Sequence, residues 1–392
     1  MCSLNKSNKC VYLISEGRLI MKATKLTVLV MLIAILGIII ASLTLSDKEK
    51  KTHNQIAGKP DLKANANDLK KTIITPHLEQ SILPGTNILW CNTFQLAWNE
   101  LIDLTGGPIV MDTAPPIVSV LNKKSASKED LDKASYVAMA GLASDGIYEK
   151  IRKELAEKFK GQASPNLFDA SPTMEWVTYA YLFKQLPFQW AFTRFHENLK
   201  FEGKYVDSFG IYQLLDSQRN EKRMAGQVAI LDHRNNNDLI IELKTQSEDE
   251  RLILAKIPPE ATLEETINAV DKRIQNAKPV KMSQMENLFV PVLNFEILLE
   301  YSELCGHPIH TSDKRTDGTS IFIAAQSIRF RLDETGAVLK SEALTASGLT
   351  TRNLVFDKPF LILLKRRDAK RPYFALWVGN IELLVTVPRK PI

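Results

Sequence analysis

An uncharged apolar segment near the N-terminus constrains this chain more than any other feature. Residues 26–46 (LTVLVMLIAILGIIIASLTLS) form a run of 21 residues without a charged side chain. As a helix that rises about 1.5 Å per residue, this run is about 30 Å long, the hydrocarbon thickness of a bilayer. We therefore predict a transmembrane helix or signal anchor over 26–46. A cleaved signal peptide that starts from Met21 is the alternative, although no clear small-x-small cleavage pattern follows the run.

Basic residues flank the apolar run unequally. Five Lys or Arg residues precede it, whereas the three lysines within 47–51 are accompanied by two acidic residues. An excess of positive charge marks the cytoplasmic side of a span, so the sequence predicts a cytoplasmic segment 1–25 and an extracytoplasmic body. If the N-terminal segment is cleaved instead, the body is secreted.

The net charge of the chain is confined to this N-terminal region. Residues 1–51 hold eight of the 50 basic and three of the 45 acidic residues, so the remaining 42 of each sign cancel. A body without net charge has no field that would attract a polyanion. We therefore expect no nucleic-acid partner.

The rest of the chain divides by composition into a linker and a body. Residues 47–80 are rich in Lys, Asn and Asp, which predicts a polar tether. The segment 81–392 follows without a further change of composition and without internal repeats. Apolar residues at helical spacing predict helices over 94–104 and 147–159. Residues typical of helix N-termini predict further helix starts at Ser127 and Thr262.

Strand-like patterns dominate the chain after residue 176. Residues 176–183 (WVTYAYLF) are apolar on both faces, which predicts a central strand. Helices first and strands later, without regular βαβ alternation, predict an α+β fold with helices packed on large antiparallel or mixed β-sheets. The other runs with strand character are 227–232, 239–244, 252–257, 288–295, 321–332, 354–364 and 373–385.

The body carries none of the common catalytic or metal-binding motifs. We find no G-x-S-x-G elbow, phosphate-binding loop, Rossmann glycine pattern or paired C-x-x-C, so we predict neither an enzyme nor a cofactor. The pair His307 and His310 lacks metal-ligand spacing and predicts a turn. Two free buried thiols are favoured over one disulfide for Cys91 and Cys305. The acidic run 248–250 predicts a solvated hairpin tip.

Five segments resemble, in order, segments of the serpin family. Within the second, Phe188 takes the position of the family's tryptophan, or Trp190 supplies it displaced. The resemblance extends over about 85–385 and implies a serpin-like domain in 81–392, with the helical region 105–170 shortened. The segments are 87–94 (NILWCNTF), 179–204 (YAYLFK, then Phe192, then LKFEGK), 330–336 (FRLDETG), 356–364 (FDKPFLILL) and Gly379.

The resemblance implies a reactive loop between 336 and 353. Serpin inhibitors have such a loop cut by a serine protease, after which its N-terminal part inserts into a central sheet as a new strand. The scissile position is expected among Thr350, Thr351 and Arg352, where Arg352 would suit a trypsin-like protease or would be an ordinary surface arginine beside a strand. The implied hinge residues are Glu334, Gly336 and Ala337, and the loop residues able to face inward are Ser341, Ala343, Thr345, Ser347 and Leu349.

The hinge departs from the family pattern. Leu339, Lys340 and Glu342 interrupt the expected run of small residues, and bulky side chains should slow insertion. Slow insertion turns an inhibitor into a substrate. The sequence therefore favours a membrane-tethered, non-inhibitory binding or scaffolding module, with a serine-protease inhibitor as the alternative. Its expected partners are the membrane and a serine protease or another protein.

Overall fold

Strands make up most of the regular structure of this protein. The structure, a computed structural model, describes residues 60–160, 174–212, 218–283, 286–337 and 352–386. The predicted span 26–46 and the loop residues 338–351 lie outside these ranges. No helix in the described ranges is both long and apolar enough to cross a membrane.

The described residues form five α-helices and 21 strands. The helices are α1 Thr93–Thr105, α2 Pro116–Leu121, α3 Ile147–Phe159, α4 Gln218–Ala225 and α5 Leu263–Ile274. The first eleven strands are β1 Leu62–Asn65, β2 Thr72–Thr75, β3 Asn87–Cys91, β4 Val110–Met111, β5 Tyr136–Leu142, β6 Trp176–Gln185, β7 Phe188–Trp190, β8 Thr193–Phe201, β9 Lys204–Ile211, β10 Val228–Asn235 and β11 Asp238–Leu243. The remaining strands are β12 Glu250–Lys256, β13 Val280–Lys281, β14 Asn287–Pro291, β15 Leu293–Glu300, β16 Pro308–His310, β17 Thr319–Leu332, β18 Gly336–Ala337, β19 Asn353–Val355, β20 Phe360–Arg366 and β21 Phe374–Val378.

The strands form three large sheets and one short pair. In the seven-stranded sheet, β17 lies between β15 and β6; β1 flanks β15, β5 flanks β6, and β16 and β4 continue the sheet beside the start of β17. The eight-stranded sheet has the order β13-β10-β11-β12-β20-β21-β3-β2, and the four-stranded sheet the order β19-β14-β9-β8. The short pair is β18 with β7. The predicted α+β class with mixed sheets is confirmed.

The main apolar core lies where the three large sheets meet. Phe330 of the seven-stranded sheet, Phe374 of the eight-stranded sheet and Phe209 of the four-stranded sheet belong to this one buried cluster. Each large sheet therefore contributes one apolar face to a shared core, which is the arrangement that removes most apolar surface from water.

Helices cover faces of the sheets that this core leaves exposed. In α3, Ile151 and Leu155 pack with Val177 and Tyr179 of β6. In α5, Ile267 packs in a cluster with residues of the eight-stranded sheet. Helix α1 ends at Gly106 in the left-handed conformation, at φ 83°, which glycine adopts without a steric penalty. The predicted helices over 94–104 and 147–159 and the start at Thr262 are confirmed.

Four predicted elements differ in detail. The capping box of Ser127 forms, but it closes a single 3₁₀ turn at Lys128–Asp130 and no helix follows. The predicted strand 288–295 is interrupted at Val292, so β14 and β15 join different sheets. The predicted strand 354–364 is likewise divided, because Pro359 lacks the N–H that a continuous ladder requires. The turn predicted at His307 and His310 is partly a short strand, β16.

The predicted boundary between the tether and the body at residue 80 is wrong. Strand β1 pairs in parallel with β15, and β2 pairs in parallel with β3, so the body begins near residue 60. Glu382 fixes the connection, because its carboxylate accepts hydrogen bonds from the backbone N–H groups of Lys70 and Lys71 at 2.8 and 3.0 Å. Composition missed this segment because β1 buries little of its side chains, and only on alternate residues.

Candidate functional site

Two parallel strands lie side by side at the centre of the seven-stranded sheet. Strand β17 pairs with β6 from Ile321 opposite Trp176 to Arg331 opposite Gln185. Their outer neighbours, β15 and β5, run antiparallel to them. A further strand that entered between β6 and β17 and ran opposite to both would complete antiparallel ladders on its two sides. In the structure β6 and β17 are paired with each other along this length, so a further strand could enter only where they separate.

A buried polar network holds the middle of β17. The Gln326 side chain is fully buried; its Nε2 donates to Thr93 Oγ1 at 2.8 Å and to the Cys91 carbonyl at 3.3 Å. The Tyr301 hydroxyl donates to Gln326 Oε1 at 3.0 Å. Burial raises the pKa of Cys91 to about 11 and holds the pKa of Tyr301 well above its usual range. The network stays uncharged at neutral pH and links β17 to β3, α1 and the end of β15.

The hinge predicted at Glu334, Gly336 and Ala337 follows directly after β17. The Arg194 guanidinium donates to Glu334 at 3.1 Å and to Asp207 at 2.6 Å, so one cation links the hinge to β8 and β9. Gly336 and Ala337 pair with β7 as the short strand β18.

The backbone beside these side chains is also engaged. The N–H of Phe192 donates to the Glu334 carbonyl at 3.0 Å, and the N–H of Phe188 donates to the Thr335 carbonyl at 2.9 Å. Asp333 accepts from the Thr335 hydroxyl at 2.6 Å and from its N–H at 3.0 Å. The chain therefore leaves β17 through a segment that is hydrogen-bonded at each residue from 333 to 335.

The far end of the loop is fixed by a buried carboxylate. Arg352 Nε donates to Glu286, whose side chain is almost completely buried and which also accepts from the Ser283 N–H at 2.8 Å. The Arg352 carbonyl accepts from the Asn287 N–H at 3.3 Å. The arginine that sequence offered as a protease-recognition side chain is thus engaged with Glu286.

The remaining loop residues lie outside the described ranges. They are Ser341, Ala343, Thr345, Ser347, Leu349, Thr350 and Thr351. The structure describes the two ends of the predicted loop. These are the predicted hinge at the carboxyl end of β17 and Arg352 just before β19 of the four-stranded sheet. Sequence reasoning missed Arg194, Asp207 and Glu286, because each partner is more than ten residues away in sequence.

A second buried ion pair corrects the prediction for the acidic run 248–250. Glu248 and Asp249 are exposed, but Glu250 is buried and accepts a hydrogen bond from Lys184 of β6. The Tyr373 hydroxyl donates to the same carboxylate at 3.2 Å. Burial, and next the charge of Glu250, hold the pKa of Tyr373 well above its usual range. This trio joins β6 of the seven-stranded sheet to the eight-stranded sheet.

The histidines and cysteines in the described part of the chain form neither a metal cluster nor a disulfide. His310 Nε2 lies 2.8 Å from Asp112, which raises the pKa of the imidazole, and 3.6 Å separate its Nδ1 from Asp317. Among the described residues, no group of three or more His, Cys, Asp or Glu side chains is arranged to hold a metal ion. Cys91 and Cys305 are both free thiols.

Comparison with known proteins returns similar structures but no similar sequences. No family model and no curated protein matches the chain. Serpin-12 of Manduca sexta is 10% identical, with a TM-score of 0.48 over 75% of this chain and 92% of its own. Human thyroxine-binding globulin is 12% identical, with a TM-score of 0.46 over 76% and 92%. Serpin48 of the insect Tenebrio molitor is 13% identical, with a TM-score of 0.44 over 75% and 92%.

The similar structures include serpins, the family that the five sequence segments resemble. At these identities and TM-scores the likeness gives no residue of this chain a role.

Proposed function

We propose that this chain is a serpin-like binding or scaffolding module, held at a membrane surface by residues 26–46, whose loop does not trap proteases. The observation that carries the proposal is the attachment of both loop ends to the body. Arg194 holds Glu334 at the hinge, and buried Glu286 holds Arg352 at the other end.

Trapping of a protease depends on two competing rates, insertion of the cleaved loop and hydrolysis of its covalent link to the protease. A cleaved loop must enter the sheet before the protease hydrolyses its covalent link to the loop, so anything that delays the first inserted residues favours release. Here the ion pair of Glu334, the pairing of β18 with β7, and the bulky residues Leu339, Lys340 and Glu342 all act at the start of insertion. We therefore expect cleavage without capture.

The direct test incubates the protein with trypsin and follows both partners on denaturing gels. We expect the loop to be cut and the trypsin activity to be recovered fully, with no complex that survives SDS. A stable complex at appreciable yield would contradict the proposal.

A matched variant tests whether the hinge residues are what prevents capture of the protease. Replacing Leu339, Lys340 and Glu342 together by alanine, in an Arg194→Ala background, removes the delays at the hinge. If the hinge sets the outcome, this variant should form some SDS-stable complex where the parent forms none. Arg234→Ala serves as the control, because Arg234 is an exposed arginine whose ion pairs, both at 3.7 Å, lie in the β10–β11 hairpin.

Serine-protease inhibition is the second candidate, and one observation favours it. Because β6 and β17 are parallel neighbours, a strand inserted between them after they separate could pair antiparallel with both. In that case a protease that cuts after Thr350, Thr351 or Arg352 should be trapped by the unmodified chain, and Arg352→Ala should abolish trapping of a trypsin-like enzyme.

A further inference from the structure

A cavity of about 320 Å³ lies at the end of the seven-stranded sheet where β6 begins. It is bounded by β5, the start of α3, the end of α1 and the turn that precedes β17. Its size is within the range of small-molecule sites, which begin at roughly 300 Å³. Its lining includes Leu104, Met139, Ala140, Leu142, Ile147 and Trp176.

The cavity has a buried apolar floor and a charged rim. Leu142, Ile147 and Trp176 are each 3% exposed. At the rim, the side chains of Asp313 and Arg315 are mostly exposed and lie 3.7 Å apart, so their charges largely offset each other. An apolar floor with polar groups at its edge is the usual composition of a ligand pocket.

Two features of the lining are unexplained by the fold alone. The indole N–H of Trp176 is buried and has no hydrogen-bond partner among the described residues, although buried donors are nearly always satisfied. Leu104, at the last turn of α1, exposes 55% of its surface beside the cavity. A ligand with an apolar body would cover Leu104, and an acceptor atom on it would satisfy Trp176.

We propose that this cavity binds an apolar small molecule that carries one hydrogen-bond acceptor, such as a ketone or ether oxygen, directed to the Trp176 indole. The site is independent of the loop between 336 and 353, so it stands whether or not the protein traps proteases.

Benzophenone and diphenylmethane are matched probes for this site. Both have two phenyl rings, but only benzophenone has a carbonyl oxygen. Under ultraviolet light the excited ketone takes a hydrogen from a nearby C–H bond, and the two carbon radicals join, so the adduct retains all atoms of both partners. We expect adducts on the peptides that contain Met139 and Leu104, located by mass spectrometry. Diphenylmethane should compete with this labelling, but only at a higher concentration than benzophenone.

Two variants test the contributions of the hydrogen bond and of the cavity separately. Trp176→Phe keeps an aromatic ring but removes the N–H, and should weaken benzophenone about fivefold while leaving diphenylmethane unchanged. Ala140→Leu should fill the cavity and abolish the labelling, whereas Ala134→Leu, at an exposed position outside it, should not. The melting temperature of each variant is compared with that of the parent, and Ala140→Leu decides the question if Trp176→Phe fails to fold.

Three results would overturn the proposal. One is labelling scattered over the surface, and another is labelling that Ala140→Leu leaves unchanged. The third is labelling at Met139 only after residues 161–173 are deleted, because the chain itself would then be the occupant of the cavity.

Discussion

At the scale of single residues, burial determines which ionisable groups affect the free energy of unfolding. Cys91 and Glu250 are both almost inaccessible to solvent, yet their contexts are opposite. Cys91 stays neutral, because burial raises its pKa to about 11, whereas Glu250 is held by Lys184 and Tyr373. Neither environment could be deduced from sequence, since each depends on neighbours that the fold brings from far along the chain.

Cys91 should make stability depend on pH in the alkaline range. Its thiol ionises near 9.0 when exposed and near 11 when folded, so above pH 9 the unfolded chain loses its proton first. The free energy of unfolding should therefore fall by about 2 kcal/mol more in the parent than in Cys91→Ala between pH 8 and pH 10.5. Urea unfolding at the two pH values measures the difference. Equal losses in both proteins would contradict a folded-state pKa near 11.

Glu250 should be essential to stability through its partner. Glu250→Ala would leave the buried Lys184 without a counter-charge, and we expect a loss of about 3–5 kcal/mol in the free energy of unfolding. The neighbouring Glu248→Ala, at an exposed position, should change it by less than about 0.5 kcal/mol. If the two variants unfold at the same denaturant concentration, the ion pair does not hold the sheets together.

At the scale of elements, sequence predicted those that carry a strong local pattern. Helices α1 and α3 were predicted because their apolar residues recur at helical spacing, and strand β6 because its sequence is apolar on both faces. Strand β1 was missed because it is identified by its pairing with β15, more than 200 residues away, and its composition is polar.

The N-terminal strands should contribute to stability although their composition is that of a tether. Removing residues 1–59 should leave the melting temperature of the body unchanged, because Lys59–Ile392 forms a compact unit by itself. Removing residues 1–75 also deletes β1 and β2, which exposes the edges of β15 and β3. We expect this shorter chain to melt at a lower temperature and to self-associate in sedimentation experiments. Identical behaviour of the two truncations would show that the body begins after residue 75.

At the scale of the whole molecule, sequence anticipated the sheet-rich fold but only part of the site. The five ordered segments indicated the family resemblance, and Glu334 and Gly336, whose role as a hinge stays a prediction, come directly after strand β17. The ion pairs that fasten the two loop ends could not be predicted, because Arg194 and Glu286 have no local motif and meet their partners only after three sheets have assembled.

The inhibitor candidate depends on the claim that the central pair of strands can receive a further strand, and the slow insertion by which we explain release of the protease also assumes it. The most direct measurement is the melting temperature before and after the loop between 338 and 351 is cut by a protease and the protein is re-purified. Uptake of the freed segment between β6 and β17 would add two ladders of hydrogen bonds, and we expect a rise of about 10 °C or more, as several kcal/mol would give in a domain of this size. An unchanged melting temperature, with the cleavage verified by mass spectrometry, would contradict the claim.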